Sequence, residues 1–175
     1  MIIGLCGAAG AGKNTVADIL VEHHGFTAMS FADPLYRAVS EITGLSVQHL
    51  QDRRYKEQPI SWLGASPRKL LQTLGTEWGR KTIDDKIWIN ICLERIAIDG
   101  GDVVVTDVRF DNEAEALMLA GADIWQVTRP NVAPVAEHES ENGISPDLVD
   151  AVINNDSSLE YLKERVEREM EFNVV

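Results

Sequence analysis

The segment GLCGAAGAGKNT, which begins at Gly4, constrains the fold more than any other part of the chain. It follows a short apolar run at residues 1–6, which predicts a buried strand, and it leads into a segment whose apolar side chains have helical spacing. Closely spaced glycines let backbone N–H groups turn inward around phosphate oxygens, and a helix N-terminus adds a partial positive charge. The sequence therefore predicts a strand, a phosphate-binding loop and a helix, in that order.

The residue types within this segment define the predicted loop more closely. Lys13 is placed to reach the terminal phosphates of a nucleotide. Asn14 stands where such loops commonly have Ser or Thr, and the hydroxyl comes one residue later, at Thr15. The alternative is an ordinary glycine-rich turn between a strand and a helix, but the context favours phosphate binding.

The rest of the chain alternates between predicted strands and helices. Further strands are expected at residues 26–31, 102–107, 123–128 and 148–153. Further helices are expected at residues 33–42, 84–98, 112–120 and 157–172, with one more that starts at Ser66; Asp33 and Ser66 are the predicted N-caps. Residues 44–65 are interpreted as a polar, partly helical connection. This alternation predicts an α/β fold with a five-stranded parallel sheet flanked by helices.

Composition and charge limit the functions open to the chain. Its 175 residues fit one domain, with 45% hydrophobic and 25% charged residues. The net charge of −12 disfavours a nucleic-acid partner, and no apolar run is long enough to span a membrane, so we expect a cytoplasmic protein. Cys6 and Cys92 form no disulfide or zinc pattern and are expected to be buried, and the histidines lack metal-ligand spacing.

A group of charged residues follows the predicted strand DVVVTD. Asp107 ends this strand, and a carboxylate at the C-terminal end of a parallel strand faces the ligand crevice, where it can hold Mg²⁺ directly or through water. Arg109 can bind a phosphate through two hydrogen bonds, and Glu113 can orient Arg109 or join the water shell of the metal. The alternatives are an Asp107 that caps the next helix and a surface ion pair between Arg109 and Glu113.

A second cationic group lies in SPRKLLQTLGTEWGRK, residues 66–81. Arg68 and Gln72 share a helical face, where a guanidinium and an amide suit the phosphate and the base edge of a nucleoside monophosphate. Arg80 adds a cation on the same helix, and Gly75 and Gly79 are expected to leave room for a ligand or a backbone. The alternative is a solvated polar face opposite an apolar stripe. That stripe consists of Leu70, Leu71, Leu74 and Trp78.

Residues 129–146 contain prolines and charges but no apolar period, which predicts a loop that acts as a lid. Arg129, at its start, is a candidate contact for the phosphates or the adenine face of a nucleotide. His138, Glu139, Ser140 and Glu141 receive no chemical assignment from their spacing, and an exposed acidic loop is the alternative.

Several of these motifs together resemble a known family. GKNT resembles the Gly-Lys-x-Thr loop of nucleoside monophosphate kinases, and PRKLLQ is similar to the Pro-Arg-x-x-x-Gln of adenylate kinases, although here WLGAS precedes it instead of a strand. The segments FADPL, LLQTLGTEWGR, DVRFDNEA, HESE and INNDSSLEYL, in this order, resemble the deoxynucleoside monophosphate kinases of tailed bacteriophages. The match covers nearly the whole chain, and the order of the motifs is its specific signal. Asn14 matches a position that is commonly acidic in this family.

The resemblance implies a three-layer P-loop kinase fold and transfer of the γ-phosphoryl group of ATP, with Mg²⁺, to a deoxynucleoside monophosphate. It implies a single domain with a core at residues 1–32 and 100–175, a monophosphate-binding insertion at residues 33–99 and a lid at residues 129–147. The implied ATP contacts are Gly7, Gly10, Ala11, Gly12, Lys13, Asn14, Thr15, Arg129 and, near the adenine, Asn155. The implied monophosphate contacts are Asp33, Arg37, Arg68, Gln72, Trp78, Arg80, Arg109 and Glu113. The implied catalytic residues are Lys13, Arg68, Asp107 and Arg109, and the implied metal-site residues are Thr15 and Asp107, with or without an intervening water.

Two other classes of function remain open from the sequence. Another small-molecule P-loop kinase, such as a dephospho-coenzyme A or phosphomevalonate kinase, would share the loop and the strand-end aspartate. A non-catalytic nucleotide-binding protein would bind ATP without turnover, although Arg68 and Arg80 argue against it. The expected partners are small-molecule substrates, with no nucleic acid and no membrane. A homodimer, the accepted bases and the choice between deoxyribose and ribose are left open.

Overall fold

The computed structural model of the chain describes residues 1–52, 54–130 and 143–172, and it contains a five-stranded sheet. The strands are β1 (Ile2–Cys6), β2 (Thr27–Met29), β3 (Val103–Val105), β4 (Ala122–Thr128) and β5 (Ala151–Asn154), in the spatial order β2-β3-β1-β4-β5. Every pairing is parallel, so the C-terminal ends of the strands share one edge of the sheet. The predicted α/β fold with a five-stranded parallel sheet is confirmed.

Helices connect the strands. The α-helices are α1 (Lys13–His24), α2 (Asp33–Thr43), α3 (Val47–Gln51), α4 (Pro67–Gln72), α5 (Ile87–Asp99), α6 (Asp111–Leu119) and α7 (Leu159–Phe172). A π-helix (Thr73–Ile83) continues directly from α4, and a short 3₁₀ turn (Pro146–Leu148) precedes β5.

The chain divides into two compact units. The sheet unit comprises residues 1–30 and 93–175 and contains every strand, α1, α6 and α7. The helical unit comprises residues 31–92 and contains α2, α3, α4 and the π-helix, while α5 continues from the helical unit into the sheet unit.

Side chains on the two faces of β1 explain why helices cover both sides of the sheet. Ile3 and Leu5 are fully buried in a core to which α1 and α7 contribute Val16, Leu20 and Val166. Gly4, between them, faces the opposite side of the sheet, where a Cβ built on Gly4 would lie 3.2 Å from the side chain of Leu117 of α6. Strands buried on both faces have few polar positions, which is why β3 consists of three buried valines.

Some element boundaries differ from the predictions for local reasons. Helix α2 already begins at Asp33, so its N-cap is Ala32 and not Asp33, and no side chain caps it. The fifth helix begins at Ile87 instead of residue 84, because the side chain of Asp84 accepts a hydrogen bond from the N–H of Lys86 at 2.9 Å and forms a turn before the helix. Strand β5 begins only at Ala151, after the 3₁₀ turn.

The helix capped by Ser66 begins as predicted but changes its geometry after Gln72. The Oγ of Ser66 accepts the N–H of Lys69, as expected of an N-cap, but after Gln72 the backbone widens into the π-helix. The indole N–H of Trp88 donates to the carbonyl of Gly75 at 2.9 Å, and a Cβ at Gly79 would lie 2.5 Å from the indole ring. The space beside Gly79 is thus filled by Trp88, and the space beside Gly75 by the end of the Leu35 side chain, instead of by a ligand or a backbone, which corrects the expectation.

Cys6 and Cys92 are both buried, as expected. Burial raises the pKa of the Cys6 thiol to about 11, although the nearby Lys13 partly opposes this shift. Among the described residues, no helix is both long and apolar enough to cross a membrane.

Candidate phosphate-transfer site

The loop between β1 and α1 has a backbone that only glycine tolerates at its key positions. Gly7, Gly10 and Gly12 have φ angles of 125°, 87° and 110°. A Cβ at Gly7 would lie 2.2 Å from the carbonyl oxygen of Val127, at the end of β4. A Cβ at Gly12 would lie 2.3 Å from Nδ2 of Asn155, just after β5. Residues at the C-terminal ends of β4 and β5 therefore leave no space for a side chain at either position.

Lys13 places a positive charge on this loop. Its Nζ donates to the carbonyl oxygens of Gly7 at 2.6 Å and Ala8 at 3.0 Å. Gly12, the N-cap of α1, has no side chain to cap the helix, and the first turn of α1 has no acidic residue. An ammonium group and an uncapped helix N-terminus at one loop favour an anionic ligand. Asn14 is exposed and Thr15 is half-buried in the first turn of α1.

The side chain of Asn155 contacts the backbone of the loop. Its Nδ2 donates to the carbonyl oxygen of Ala11 at 2.9 Å, and its backbone N–H donates to the carbonyl oxygen of Thr128 at 2.7 Å. The sequence suggested that Asn155 lies near adenine, and it contained no signal for this contact with the loop backbone. The adenine contact itself stays a prediction.

Asp107 lies two residues beyond the end of β3 and is half-buried. Its Oδ2 accepts a hydrogen bond from the Oγ of Ser30 at 3.0 Å. Ser30 follows β2, which pairs with β3, so the two side chains meet at the shared C-terminal edge of the sheet. The N-cap of the following helix is Phe110, so the alternative in which Asp107 caps that helix is wrong.

Ser30 is not among the site residues predicted from the sequence. It falls inside the strand predicted at residues 26–31, so no local signal marks it as the residue that follows the shorter strand β2. Only the strand order, which places β2 next to β3, singles out Ser30.

Glu113 is buried beneath the segment that carries Arg109. Only 2% of Glu113 is exposed, and its Oε2 accepts the backbone N–H groups of Arg109 at 2.9 Å and Phe110 at 3.2 Å. The carboxylate of Glu113 is not at the surface, which disfavours the surface ion pair considered as an alternative. The geometry supports the idea that Glu113 orients Arg109, because it binds the backbone N–H of Arg109. The burial of Glu113 disfavours a direct contact between Glu113 and a substrate. The side chain of Arg109 is exposed.

The helical unit carries the residues predicted to bind the monophosphate, except Arg109 and Glu113, which lie in the sheet unit. Arg68 and Gln72 lie one turn apart on α4, and both are exposed. The Arg68 guanidinium forms an ion pair with Glu57, in which the two side chains are 45% and 62% exposed. Helix α2, which contacts α4, carries Asp33, half-buried, and Arg37, exposed. An exposed arginine already paired with a carboxylate has the charge and access needed for an anionic ligand.

The π-helix carries two further predicted contacts. Arg80 is half-buried, and Trp78 is 47% exposed, with its ring centroid 6.5 Å from that of Trp88. Trp78 therefore does not complete a buried stripe with the leucines, which corrects the expected stripe and leaves the alternative of a solvated polar face open. Its predicted contact with a substrate stays a prediction.

The predicted lid is described only at its two ends. Arg129 follows β4 directly and is exposed. Residues 131–142, with His138, Glu139, Ser140 and Glu141, lie outside the described residues. After them, the N–H and Oγ of Ser145 donate to the carboxylate of Asp111 at 2.8 and 2.6 Å, and these hydrogen bonds lower the pKa of Asp111.

The described residues do not include a cluster of three or more His, Cys, Asp or Glu side chains that could hold a metal by themselves. A half-buried carboxylate such as Asp107 is instead a hard oxygen ligand of the kind that shares Mg²⁺ with water and phosphate oxygens. The donor set fits a metal that arrives with a nucleotide.

Comparisons with known proteins show the family and the fold to which this chain is similar. The family model described as deoxynucleotide monophosphate kinase matches residues 45–166. The chain is 34% identical to a protein of Acanthamoeba polyphaga mimivirus that is provisionally named a deoxynucleotide monophosphate kinase, with 91% of both chains aligned. It is 31% identical to the deoxynucleoside-5'-monophosphate kinase of Escherichia phage T5, over 82% of this chain and 85% of that one. Shikimate kinase from Aquifex aeolicus shares the fold, with a TM-score of 0.52 at 16% identity over 99% of this chain and 98% of that one.

Proposed function

The chain belongs to the deoxynucleotide monophosphate kinase family, and from this premise we propose that it transfers the γ-phosphoryl group of ATP to a deoxynucleoside monophosphate. The products are ADP and the deoxynucleoside diphosphate, a DNA precursor. We propose that it does so in the cytoplasm, with small molecules as its substrates.

One observation carries the proposal: the phosphate-binding loop places the Lys13 ammonium against the carbonyls of Gly7 and Ala8 at the uncapped N-terminus of α1. Phosphate oxygens of ATP are stronger acceptors than carbonyls, so the ammonium group would turn from the loop to the β- and γ-phosphates. The backbone N–H groups of residues 10–15 would surround the same phosphates. The charge of the triphosphate is thereby neutralised where the transfer takes place.

The reaction forms one bond and breaks one. An oxygen of the acceptor phosphate attacks the γ-phosphorus of ATP, and the bond from that phosphorus to the β–γ bridging oxygen breaks. ADP leaves with the electron pair of the broken bond. The acceptor phosphate is already an anion near neutral pH, so the chain needs no general base. Alignment and charge neutralisation are therefore the work left to the protein.

Asp107 and Thr15 are the residues proposed to hold Mg²⁺, together with water and nucleotide oxygens. When bound, the metal neutralises phosphate charge. The Ser30 hydroxyl holds the Asp107 carboxylate in place through a 3.0 Å hydrogen bond. The side chain of Arg109, whose backbone is fixed by the buried Glu113, would follow the charge that develops on the transferred group.

The acceptor is proposed to bind to the helical unit. Arg68 would exchange its ion pair with Glu57 for a bidentate contact with the phosphate of the monophosphate. Gln72 follows on the same face of α4 and can hydrogen-bond a base edge, while Asp33, Arg37, Trp78 and Arg80 are proposed as further contacts. Arg129 would contact ATP, and a lid formed by residues 129–147 would exclude water, which would otherwise accept the phosphoryl group.

A panel of acceptors tests this function. Purified protein, ATP and Mg²⁺ are combined with each deoxynucleoside monophosphate, each ribonucleoside monophosphate and dephospho-coenzyme A, and ADP release is measured. We expect ADP release that depends on a deoxynucleoside monophosphate. Transfer to dephospho-coenzyme A alone would replace the proposal with a different small-molecule kinase. ATP binding with no acceptor-dependent ADP release would make the chain a nucleotide-binding protein without this activity.

A further inference from the structure

Asn155 touches the phosphate-binding loop at Ala11 and Gly12. The amide Nδ2 donates to the carbonyl oxygen of Ala11 at 2.9 Å, and it occupies the space that a Cβ of Gly12 would need. The side chain of Asn155 therefore holds the peptide group between Ala11 and Gly12. It also leaves no room for a side chain at position 12, which must be glycine.

The planarity of this peptide group gives the contact a consequence. In a trans peptide the C=O and N–H bonds point in opposite directions, and the structure has no cis peptide bonds among the described residues. When the Ala11 carbonyl is held toward Asn155, the N–H of Gly12 must point to the other side of the loop. That side is where the loop's N–H groups surround a phosphate in the proposed function.

Asn155 is itself firmly held. Its backbone N–H donates to the carbonyl oxygen of Thr128 at 2.7 Å, so it continues the pairing of β4 with β5. The hydroxyl of Thr128 donates to Oδ1 of the preceding Asn154 at 2.7 Å. Arg165 of α7 donates to the carbonyl oxygen of Asn154 and pairs with Asp156 at 3.2 Å. The turn at residues 154–156 is thus fixed to β4 and α7, which makes it a rigid support for the loop.

We propose that Asn155 is a positioning residue of the phosphate-binding loop: it directs the Gly12 N–H toward the triphosphate and acts through the loop instead of through the base. The inference rests on the proposed function, because it takes the loop as the ATP site. It differs from the adenine contact expected from the sequence. A positioning residue affects every ligand that carries the phosphates, whereas a base contact affects only ligands with that base.

Tripolyphosphate, which has the phosphates of ATP but no base, separates the two roles. Binding of Mg²⁺–ATP, Mg²⁺–GTP and Mg²⁺–tripolyphosphate is measured by calorimetry for the wild type, Asn155→Ala and Asn155→Asp. For Asn155→Ala we expect all three ligands to weaken by the same factor, about three- to tenfold for one lost hydrogen bond. For Asn155→Asp we expect a loss above about tenfold, because a carboxylate would face the Ala11 carbonyl with no proton to donate. Thermal melting establishes that each variant is folded.

Asn90→Ala is the matched control. It removes an exposed asparagine side chain of α5 that belongs to neither the loop nor the turn at residues 154–156, and all three affinities should stay within about twofold of wild type. Weaker ATP binding with unchanged tripolyphosphate binding in Asn155→Ala would overturn the proposal in favour of a base contact. Unchanged binding of all three ligands would also overturn it. The acceptor panel is independent of this result: a shared loss of affinity would support the loop role even if no monophosphate were phosphorylated.

Discussion

The hydroxyl of Ser30 donates a hydrogen bond to Oδ2 of Asp107 at 3.0 Å, and this contact joins the C-terminal ends of β2 and β3. If Asp107 holds Mg²⁺, Ser30 orients a metal ligand, and such supporting contacts are often worth 10-fold or more in metal affinity. For Ser30→Ala we expect the Mg²⁺ concentration at half-maximal activity to rise by about tenfold. Kinetic titration with Mg²⁺ at saturating ATP measures this change.

Ser158→Ala is a suitable control for Ser30→Ala. The Oγ of Ser158 accepts the N–H of Tyr161 at 3.3 Å at the start of α7, so this variant also removes one serine hydrogen bond. It should lower the melting temperature slightly and leave the Mg²⁺ dependence unchanged. An equal rise in Mg²⁺ demand in both variants would argue against a specific role for Ser30.

Lys13→Ala should abolish phosphoryl transfer without unfolding the protein. Its ammonium group contacts loop carbonyls and is not part of the core, so the melting temperature should change little. Loss of a charge that stabilises the transition state should lower kcat by at least about a hundredfold. The exposed Lys86→Ala serves as the control and should keep wild-type turnover. Wild-type turnover in Lys13→Ala would remove the phosphate-loop assignment.

The ion pair between Arg68 and Glu57 predicts opposite effects for its two members. Arg68→Ala should raise the KM of the monophosphate by about tenfold or more with little change in the KM of ATP, because a charged hydrogen bond to phosphate is lost. Glu57→Gln should lower the KM of the monophosphate by up to about fivefold, because an exposed carboxylate no longer competes for the guanidinium group. Steady-state kinetics with each substrate varied in turn measures both.

Arg54→Ala provides the comparison for the Arg68 prediction. Arg54 forms a similar exposed pair with Asp52, at 2.6 Å, in the same unit. Neither KM should change in this variant. A selective rise in the KM of ATP after Arg68→Ala would refute the placement of Arg68 at the acceptor.

Gly79→Ala should destabilise the protein, because its Cβ would lie 2.5 Å from the indole ring of Trp88. Trp88 is buried, so its ring can move away only if it loses packing contacts. We therefore expect a loss of about 1–3 kcal/mol in the free energy of unfolding. Gly75→Ala, where the new Cβ would meet the flexible end of Leu35 at 3.1 Å, should cost less. Urea denaturation of the two variants tests this order.

The raised pKa of Cys6 predicts a loss of stability at high pH. Burial raises the pKa of the Cys6 thiol from 9.0 to about 11. As the pH increases, Cys6 therefore loses its proton in the unfolded chain at a lower pH than in the folded protein. The folded state should lose up to about 3 kcal/mol between pH 9 and pH 11 through this group. Thermal melting of the wild type and Cys6→Ala across this range should show a steeper decline for the wild type, and parallel curves would contradict the prediction.

The sequence predicted the parts of this site that lie close together along the chain. Residues 7–15 specify the phosphate-binding loop because glycine spacing, a lysine and the start of a helix are all local features. The N-cap at Ser66 and the burial of Cys6 could be predicted for the same reason. The π-helix could not, because its widened backbone depends on packing between Gly79 and a tryptophan nine residues later.

By itself, then, the sequence determined the alternating α/β pattern and the glycine-rich loop with Lys13 between the first strand and the first helix. The tertiary structure decided which distant side chains support these residues. Ser30 meets Asp107 because β2 pairs with β3, and Asn155 reaches Ala11 because β5 joins the sheet beside β4. Local spacing carries no information about strand order, since that order depends on how the whole sheet buries its apolar faces against the helices.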